Sequence, residues 1–470
     1  MTAKFGRVLL ALPAVVYLLL PTRNFYWDGV AFAINIEKLL PPRENLHPNH
    51  LLYTVAGEWL YRAALACGLH VRALFLLQAA NSLLAAGAVV LLYRALRRRD
   101  FPTESAVAAA LTFAFAATWW RFATDANAYI PSIFLILCAN HLLETRRTPW
   151  LAPVAHVAAM LFHQLAILFL PVALLKTRDP RKQLSYTAAT MGPVAVAYVL
   201  AYRTVFGRWD TRGFLAWIAA RSPDAHFSFQ PLHDLAETLA GTIRLFFGGK
   251  LDAITLSFPV IAGLIALTLS LTLVVTQFRR SPARAVVPAG KDVLCWLAVY
   301  AAFLFFWMPQ NTFYRLFYLP PLVLLLWGSQ RKPLPAALWC ILFFANAVFL
   351  IYPQSRQNNN VPLRFALAQR DRWPSGTPIA FHIFHPDLWT ISYFNPQASW
   401  IGMDHLDIAE LDRSLAYARD QHQPLWLEAT AYEMITADPE GRRWLSQHEV
   451  SFGLLVYRDP KHEYRFYQAR

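Results

Sequence analysis

Apolar residues occur along this chain in long runs that short polar segments separate. Runs of this length with few charged residues are typical of helices in a lipid bilayer. We therefore predict a mainly α, polytopic membrane protein with about eleven transmembrane helices. Their predicted bounds are 7–21, 72–95, 104–120, 127–143, 149–162, 164–176, 184–206, 252–277, 292–308, 314–328 and 334–352.

Several of these runs are shorter than the roughly 20 residues that a full span needs. The runs 149–162 and 164–176 predict two short helices that meet near His163. Broken helices are tolerated at membrane depth where they line a cavity. Segments 28–40 and 51–66 have apolar residues at helical spacing beside polar ones, which favours helices lying along the membrane interface.

Residues after 352 have a different pattern. Strand-like runs occur at Pro378–Phe384 and Phe452–Tyr457, and a helical run occurs at Ile408–Arg419. The polar stretch 353–360 marks a boundary. We predict two domains, a membrane domain at 1–352 and a small soluble α/β domain at 353–470.

The net charge of +14 would fit a nucleic-acid partner, but its distribution argues against one. Only 15% of residues are charged. Eighteen Lys and Arg residues, with five acids, lie in alternate short loops and account for nearly the whole excess. This is the positive-inside pattern. It predicts a cytoplasmic N-terminus, a C-terminal domain outside the membrane, and no nucleic-acid partner.

Two acidic residues fall on the predicted outer side. Asp28 follows the first span in an outer loop, and Asp125 lies in the short turn before another span. Each could act as a general base or help to hold a metal ion. The alternatives are a solvated loop acid for Asp28, and an ion pair with Arg121 for Asp125.

Three histidines and one arginine also fall on this side. His47 and His50 favour substrate positioning over metal binding, because zinc needs three or four ligands, and a loop or capping role is the main alternative. His163 is an ionisable residue at the junction of two short helices, with a helix–helix hydrogen bond as the alternative. Arg315 opens a late span and would suit a phosphate, or would reach lipid headgroups. Together these residues predict an active site on the outer face.

Four stretches resemble the GT-C class of integral membrane glycosyltransferases, above all its bacterial branch with a protein O-mannosyltransferase-like membrane domain. The stretch from Trp27 and Asp28 to Ala33 is similar to the acidic first-loop motif of that branch. The stretch 46–53 looks like its His-Pro element, and 125–135 looks like its second-loop element. Tyr314 and Arg315, followed by two prolines, are similar to its Arg/Tyr–Pro motif.

The resemblance implies a glycosyltransferase that moves a sugar from a polyprenyl-phosphate donor to a hydroxyl of a glycan, lipid or protein. Asp28 and Asp125 would be catalytic, with Asp28 as the base. Arg315, Tyr314 and His163 would bind the donor phosphate. His47, His50 and Trp27 would position substrate.

The branch often has a second acid directly after the first-loop Asp, whereas Gly29 follows here. This departure argues against a metal held by two first-loop acids, and whether a divalent metal, Mg²⁺ or Mn²⁺, takes part stays open. The implied location is the cytoplasmic membrane of a bacterium, with the C-terminal domain in the periplasm.

Two other function classes remain open at this point. A transporter or flippase of lipid-linked sugars predicts ionisable residues at the bilayer midplane and repeated halves. The sequence has no visible repeat, and His156 is the one candidate for the midplane. A non-catalytic assembly protein predicts that Asp28 tolerates substitution. The outer-loop Trp residues would stack on sugars or anchor the interface: Trp27, Trp119, Trp120, Trp209 and Trp217.

Overall fold

A computed structural model describes residues 2–38, 40–41, 45–145, 148, 150–219, 227, 229–250, 256–280, 290–328, 336–459 and 462–470. Contacts divide the chain into two compact units. The first contains Met1–Thr22 and Phe32–Ser355, and the second contains Arg23–Ala31 and Arg356–Arg470. The short first-loop segment with Trp27 and Asp28 is therefore grouped with the C-terminal residues.

The first unit is helical. Its helices are Thr2–Leu19, the later part of Trp27–Glu37, Tyr53–Ala66, Ala73–Arg98, Thr103–Ala114, Ala117–Ala123, Tyr129–Thr145, Leu151–Phe162, Leu170–Thr177, Pro180–Phe206, Thr211–Ile218, Pro231–Phe246, Phe258–Arg280, Lys291–Trp307, Leu319–Gly328, Leu338–Asn346 and Tyr352–Ser355. Short 3₁₀ segments cover Pro48–His50, Gln164–Phe169 and Phe313–Phe317, and a π segment covers Ala347–Ile351.

This unit makes the chain a multi-pass membrane protein. In the described ranges, four helices are long and apolar enough to cross a bilayer: Ala73–Arg98, Pro180–Phe206, Phe258–Arg279 and Leu338–Ser355. A bent pair adds a fifth candidate, and further apolar helices are shorter. The predicted count of eleven spans is not established by these lengths.

The predicted helix 104–120 is broken in the structure. Thr103–Ala114 and Ala117–Ala123 meet at a bend of 65°. The buried Asn346 side chain occupies the break, because its Nδ2 donates to the carbonyls of Phe115 at 2.8 Å and Phe246 at 2.7 Å. A helix can end inside a membrane protein only where its free carbonyls find such donors. The sequence pattern did not predict this break.

The two short helices predicted around His163 are confirmed. Leu151–Phe162 ends at His163, whose backbone is extended (φ −157°, ψ 127°), and Gln164–Phe169 begins directly after it. The structure also contains Thr211–Ile218 and Pro231–Phe246, which the sequence analysis left as loop.

The second unit is built on a five-stranded mixed sheet, so the predicted α/β character of the C-terminal residues is confirmed. Its strands are β1 (Pro378–His382), β2 (Ser399–Met403), β3 (Leu425–Glu428), β4 (Val450–Asp459) and β5 (His462–Ala469). The spatial order is β2-β1-β3-β5-β4. β1 pairs in parallel with β2 and β3, whereas β5 pairs antiparallel with β3 and β4.

Side chains alternate between the two faces of β1, as the period of a strand requires. Ile379 and Phe381 belong to one buried cluster with Trp373, and Ala380 belongs to another with Trp444. The helices of this unit are Val361–Ala368, Pro386–Phe394, Ile408–Asp420, Ala429–Ala437 and Pro439–Gln447.

Candidate active site

The turn Pro48–His50 presents two imidazoles. His47 caps this turn, since its Nδ1 accepts from the Asn49 N–H at 3.3 Å. The Tyr198 hydroxyl donates to the carbonyl of Pro48 at 2.6 Å and so fixes the turn to helix Pro180–Phe206. His50 is buried, and its Nδ1 lies 3.4 Å from the Phe162 carbonyl oxygen. The main chain thus determines where both rings lie.

His163 joins these rings from the break between the two short helices. Its side chain is buried, and its Nδ1 accepts from the Leu165 N–H at 3.1 Å. The ring centroid of His163 is 4.9 Å from that of His50. A histidine used as a cap at a helix break can hold its ring in a fixed direction, because one nitrogen is committed to the backbone.

Two tyrosines complete what we name the imidazole cluster: His47, His50, Tyr129, His163 and Tyr314. The His47 and His50 ring centroids are 5.9 Å apart. The Tyr129 ring is 4.9 Å from His163 and 5.8 Å from Tyr314. His163 and Tyr314 are 5.6 Å apart. Four residues of the predicted site region are therefore brought together: His47, His50, His163 and Tyr314.

The backbone contacts also assign the tautomers of the neutral rings. A carbonyl oxygen only accepts, so His50 Nδ1 carries a hydrogen and Nε2 is an acceptor. His47 and His163 accept at Nδ1, so their Nε2 atoms are donors. Within the described residues, none of the three Nε2 atoms forms a hydrogen bond. The cluster therefore offers two donors and one acceptor to a ligand.

Burial keeps the first two rings uncharged. It lowers the pKa of His47, and it lowers the pKa of His50 to about 3, with the nearby His47 as a second cause. Desolvation disfavours the charged form of an imidazole, which explains the direction. At neutral pH the turn therefore presents hydrogen-bonding groups without net charge.

Asp125 lies in a buried turn. Its Oδ1 accepts from the Ala126 N–H at 2.8 Å, and its carbonyl accepts from Asn81 Nδ2 at 2.8 Å. Burial, and then the charge of Asp125, raise the pKa of the Tyr53 phenol. Asp125 thus organises the turn before helix Tyr129–Thr145, and its predicted catalytic role stays a prediction.

Arg315 is fully buried, and its guanidinium faces protein groups. Nη1 donates to the Tyr318 hydroxyl at 3.0 Å, and Nη2 donates to the carbonyls of Glu237, at 3.3 Å, and of Pro309. A Cβ added at Gly241 would lie 2.3 Å from Arg315 Nε, so this glycine makes room for the guanidinium. Arg315 therefore positions the segment that carries Tyr314, and phosphate binding by Arg315 stays a prediction.

Trp27 and Asp28 belong to the second unit, in the first turn of helix Trp27–Glu37. In that unit, Phe25 stacks on Phe394 at 5.7 Å, and Asn360 Nδ2 donates to the Arg23 carbonyl. Burial raises the pKa of Asp28 to about 6, while a hydrogen bond from Tyr26 acts in the opposite direction. A carboxylate with this pKa is a stronger base than an ordinary aspartate.

Three further residues that the sequence analysis considered, Trp119, Trp120 and His156, are engaged in contacts with other protein groups. Trp119 and Trp120 are fully buried, and Trp120 stacks on Phe343 at 5.3 Å, so neither is placed to bind a sugar or anchor the interface. His156 has both nitrogens engaged, with the Tyr186 hydroxyl at 3.1 Å and the Ala166 carbonyl at 2.9 Å. A helix-to-helix contact therefore accounts for His156.

The described side chains contain no group of three His, Cys, Asp or Glu residues arranged to hold a metal.

Tyr129 was missing from the predicted site residues, although it follows Asp125 and opens a span. A tyrosine directly after a polar turn is the signal that could have identified it. Tyr198 has no comparable signal, because it lies about 150 residues from the turn that it fixes.

No protein-family model matches the sequence, and no curated protein matches it. Its fold is similar to that of the solved membrane protein ArnT. The crystal structure of ArnT from Cupriavidus metallidurans bound to undecaprenyl phosphate has a TM-score of 0.57 and 14% sequence identity, and covers 99% of this chain and 97% of that chain. The apo structure of the same ArnT has a TM-score of 0.45 and 13% identity, covering 99% and 98%.

Proposed function

We propose that this protein is a glycosyltransferase that moves a sugar from a polyprenyl-phosphate donor to an acceptor hydroxyl on the outer face of the membrane. The observation that carries the proposal is the match of nearly the whole chain to ArnT, a protein solved with undecaprenyl phosphate. The imidazole cluster supports it, because it provides neutral donors beside aromatic rings.

The reaction needs a base, a leaving group and alignment. The acceptor oxygen attacks the anomeric carbon, the bond from that carbon to the phosphate oxygen breaks, and polyprenyl phosphate leaves. Asp28 takes the hydroxyl proton, for which its raised pKa of about 6 is suited. Because a phosphate is a good leaving group, catalysis depends mainly on hydrogen bonds to it and on orientation.

The Nε2 donors of His47 and His163 suit the phosphate oxygens, and Tyr314 lies beside His163. His50 Nε2, an acceptor, suits a sugar or acceptor hydroxyl. Trp27, which is 40% exposed, would stack on a sugar face. Asp125 and Arg315 would act by holding the turns that carry Tyr129 and Tyr314.

The test is single-turnover transfer from an undecaprenyl-phosphate sugar by purified protein in detergent. Asp28→Asn should retain donor binding and lose about 10²–10⁴ in rate, the usual contribution of a general base. Asp125→Asn is the matched control, with a milder loss expected if Asp28 acts alone. A fully active Asp28→Asn protein would contradict the base assignment, and no transfer by the wild type with any such donor would contradict the function.

The same assay tests the metal. Loss of activity in EDTA and its return with Mg²⁺ or Mn²⁺ would place Asp28 in a metal site instead. Orientation is tested by cysteine labelling at Ser281 and Gln421. The proposed topology requires that these two positions react from opposite sides of the membrane.

A further inference from the structure

A cleft of about 1330 Å³ lies among helices Thr2–Leu19, Ala73–Arg98 and Tyr129–Thr145. Arginines line it at the helix ends that lead into the Lys/Arg-rich loops: Arg7, Arg94, Arg97 and Arg98. This side is opposite the imidazole cluster in the predicted topology, and no step of the proposed reaction uses it.

The cleft is apolar away from the arginines, where Leu10, Leu91 and Phe134 line it. Gly87 precedes Arg94 by two helical turns, which is about 10 Å along the helix. A Cβ at Gly87 would lie 2.9 Å from Phe134 Cε2, so the glycine allows the Phe134 ring to lie against this helix in the deeper part of the cleft. A basic end and an apolar depth match an amphiphile with an anionic head.

One arginine of the cleft has an acidic partner, since Arg98 Nη1 lies 3.4 Å from Glu144. Arg99 pairs with Glu144 at 2.9 Å and Asp292 at 2.6 Å, and Lys176 pairs with the same two acids. Those acids are thereby occupied. Across the ranges that the structure describes, by contrast, Arg7 and Arg94 have no acidic partner.

A buried polar atom also lacks a partner here. Tyr93 lines the cleft and is only 2% exposed, and its hydroxyl has no hydrogen-bond partner among the described residues. Arg97 Nε, in the same wall, is buried and unpartnered as well. Buried polar groups are rarely left unsatisfied. Donors of this kind in the wall of a cleft are suited to the several acceptor oxygens of a phosphate.

We propose that this cleft binds one anionic membrane phospholipid, with its phosphate at the arginines and Tyr93 and an acyl chain along Gly87 and Phe134. This cleft is separate from the proposed donor site, so a result that contradicts the glycosyltransferase assignment would not contradict lipid binding in the cleft. Positive charge alone is common on this side of a membrane protein and needs no lipid. The open apolar depth and the two unpartnered buried atoms distinguish a built site from that background.

Native mass spectrometry of the full-length protein, titrated with phosphatidylglycerol or with phosphatidylcholine of the same acyl chains, tests the proposal. The wild type should retain phosphatidylglycerol preferentially. Arg7→Gln/Arg94→Gln should weaken it about 30-fold, since each surface arginine contributes roughly five-fold. Both side chains are exposed, so the fold should persist. Gly87→Leu keeps every charge and should weaken binding by filling the depth.

The matched control is Arg181→Gln/Lys182→Gln, which removes two exposed charges from the same predicted side outside the cleft and should keep wild-type affinity. Equal retention of the two lipids would overturn the proposal, as would an equal loss in both double variants. Competition by glycerol 3-phosphate at the concentrations at which phosphatidylglycerol binds would also overturn it, because the site would then take a free phosphate.

Discussion

The first unit contains two polar clusters among its apolar helices, and the polar groups of the two clusters are partnered in different ways. The four-charge network consists of Arg99, Glu144, Lys176 and Asp292, with opposite charges 2.6–2.9 Å apart. In the imidazole cluster, each histidine commits Nδ1 to the main chain and leaves Nε2 without a partner among the described residues. The charged groups of the four-charge network pair with one another, whereas the imidazole cluster keeps nitrogen atoms that can still bind a ligand.

The difference indicates which cluster serves stability and which serves binding. Charges removed from water must be paired, and removing one partner leaves an uncompensated charge. Neutral imidazoles avoid that cost while keeping a donor or an acceptor. We therefore expect substitutions in the four-charge network to lower stability with little effect on chemistry, and substitutions in the imidazole cluster to do the opposite.

The largest expected effect is on stability. Glu144→Gln removes the shared acid of Arg99 and Lys176, whose side chains are 20% and 11% exposed. Arg99 and Lys176 would then share Asp292 alone, so the free energy of unfolding should fall by about 3 kcal/mol, the lower end for a broken buried ion pair. Thermal unfolding in detergent would measure this. Transfer by the protein that remains folded should stay within about two-fold of wild type, and an unchanged unfolding temperature would contradict the role given to the network.

The second prediction concerns His163→Asn. An asparagine Oδ1 can still accept from the Leu165 N–H, so the cap at the helix break should survive. The Nε2 donor is lost, and the single-turnover rate should fall on the order of 10²-fold, the usual effect of removing one such donor. Thermal unfolding should change little. A large loss of stability with an unchanged rate would instead assign His163 a purely structural role.

The third prediction uses pH to separate Asp28 from His50. A base with a pKa of about 6 is lost by protonation as pH falls, so the rate should drop about tenfold per unit below pH 6. His50 has a pKa of about 3 and stays neutral throughout that range. Asp28→Asn should flatten this limb in a rate profile from pH 5 to 8. A wild-type rate that is constant over this range would exclude Asp28 as the titrating base.

The smallest effect is expected at an exposed pair, Arg62 and Glu58, which lie 2.7 Å apart on one helix face. Glu58→Gln should change the unfolding free energy by less than about 0.5 kcal/mol, because solvent screens such pairs. It is the control for Glu144→Gln, with the same substitution but a solvated partner. If the two variants lost equal stability, burial would not explain the four-charge network.

Most helices were predictable because the apolar runs are long. The prediction 72–95 corresponds to Ala73–Arg98, and 292–308 corresponds to Lys291–Trp307. The pattern failed where tertiary contacts replace helical hydrogen bonds. The break after Ala114 depends on Asn346, a residue more than 200 positions away. Helix Pro231–Phe246 was missed although its exposed face carries Leu232, Leu235, Leu239 and Ile243 at helical spacing.

The candidate site, like the helices, was predictable from the sequence only in part. The polar residues on the predicted outer side were identified from spacing and from the charge of other loops, and His47, His50, His163 and Tyr314 do lie together. The sequence did not reveal that Arg315 donates to main-chain carbonyls, or that Tyr129 lies beside His163 and Tyr314. A guanidinium at a span entry has the same local sequence whether it faces a ligand or the protein.

The sequence by itself determined that this chain is a membrane protein, where most helices lie, and that its C-terminal residues form an α/β sheet, since these depend on local periodicity and apolar length. Only the tertiary structure decided which nitrogen of each histidine stays available, where a helix breaks, and which arginines keep their charge unpaired. Those properties depend on which distant backbone carbonyl, amide or carboxylate comes within about 3 Å, and local sequence does not encode that distance.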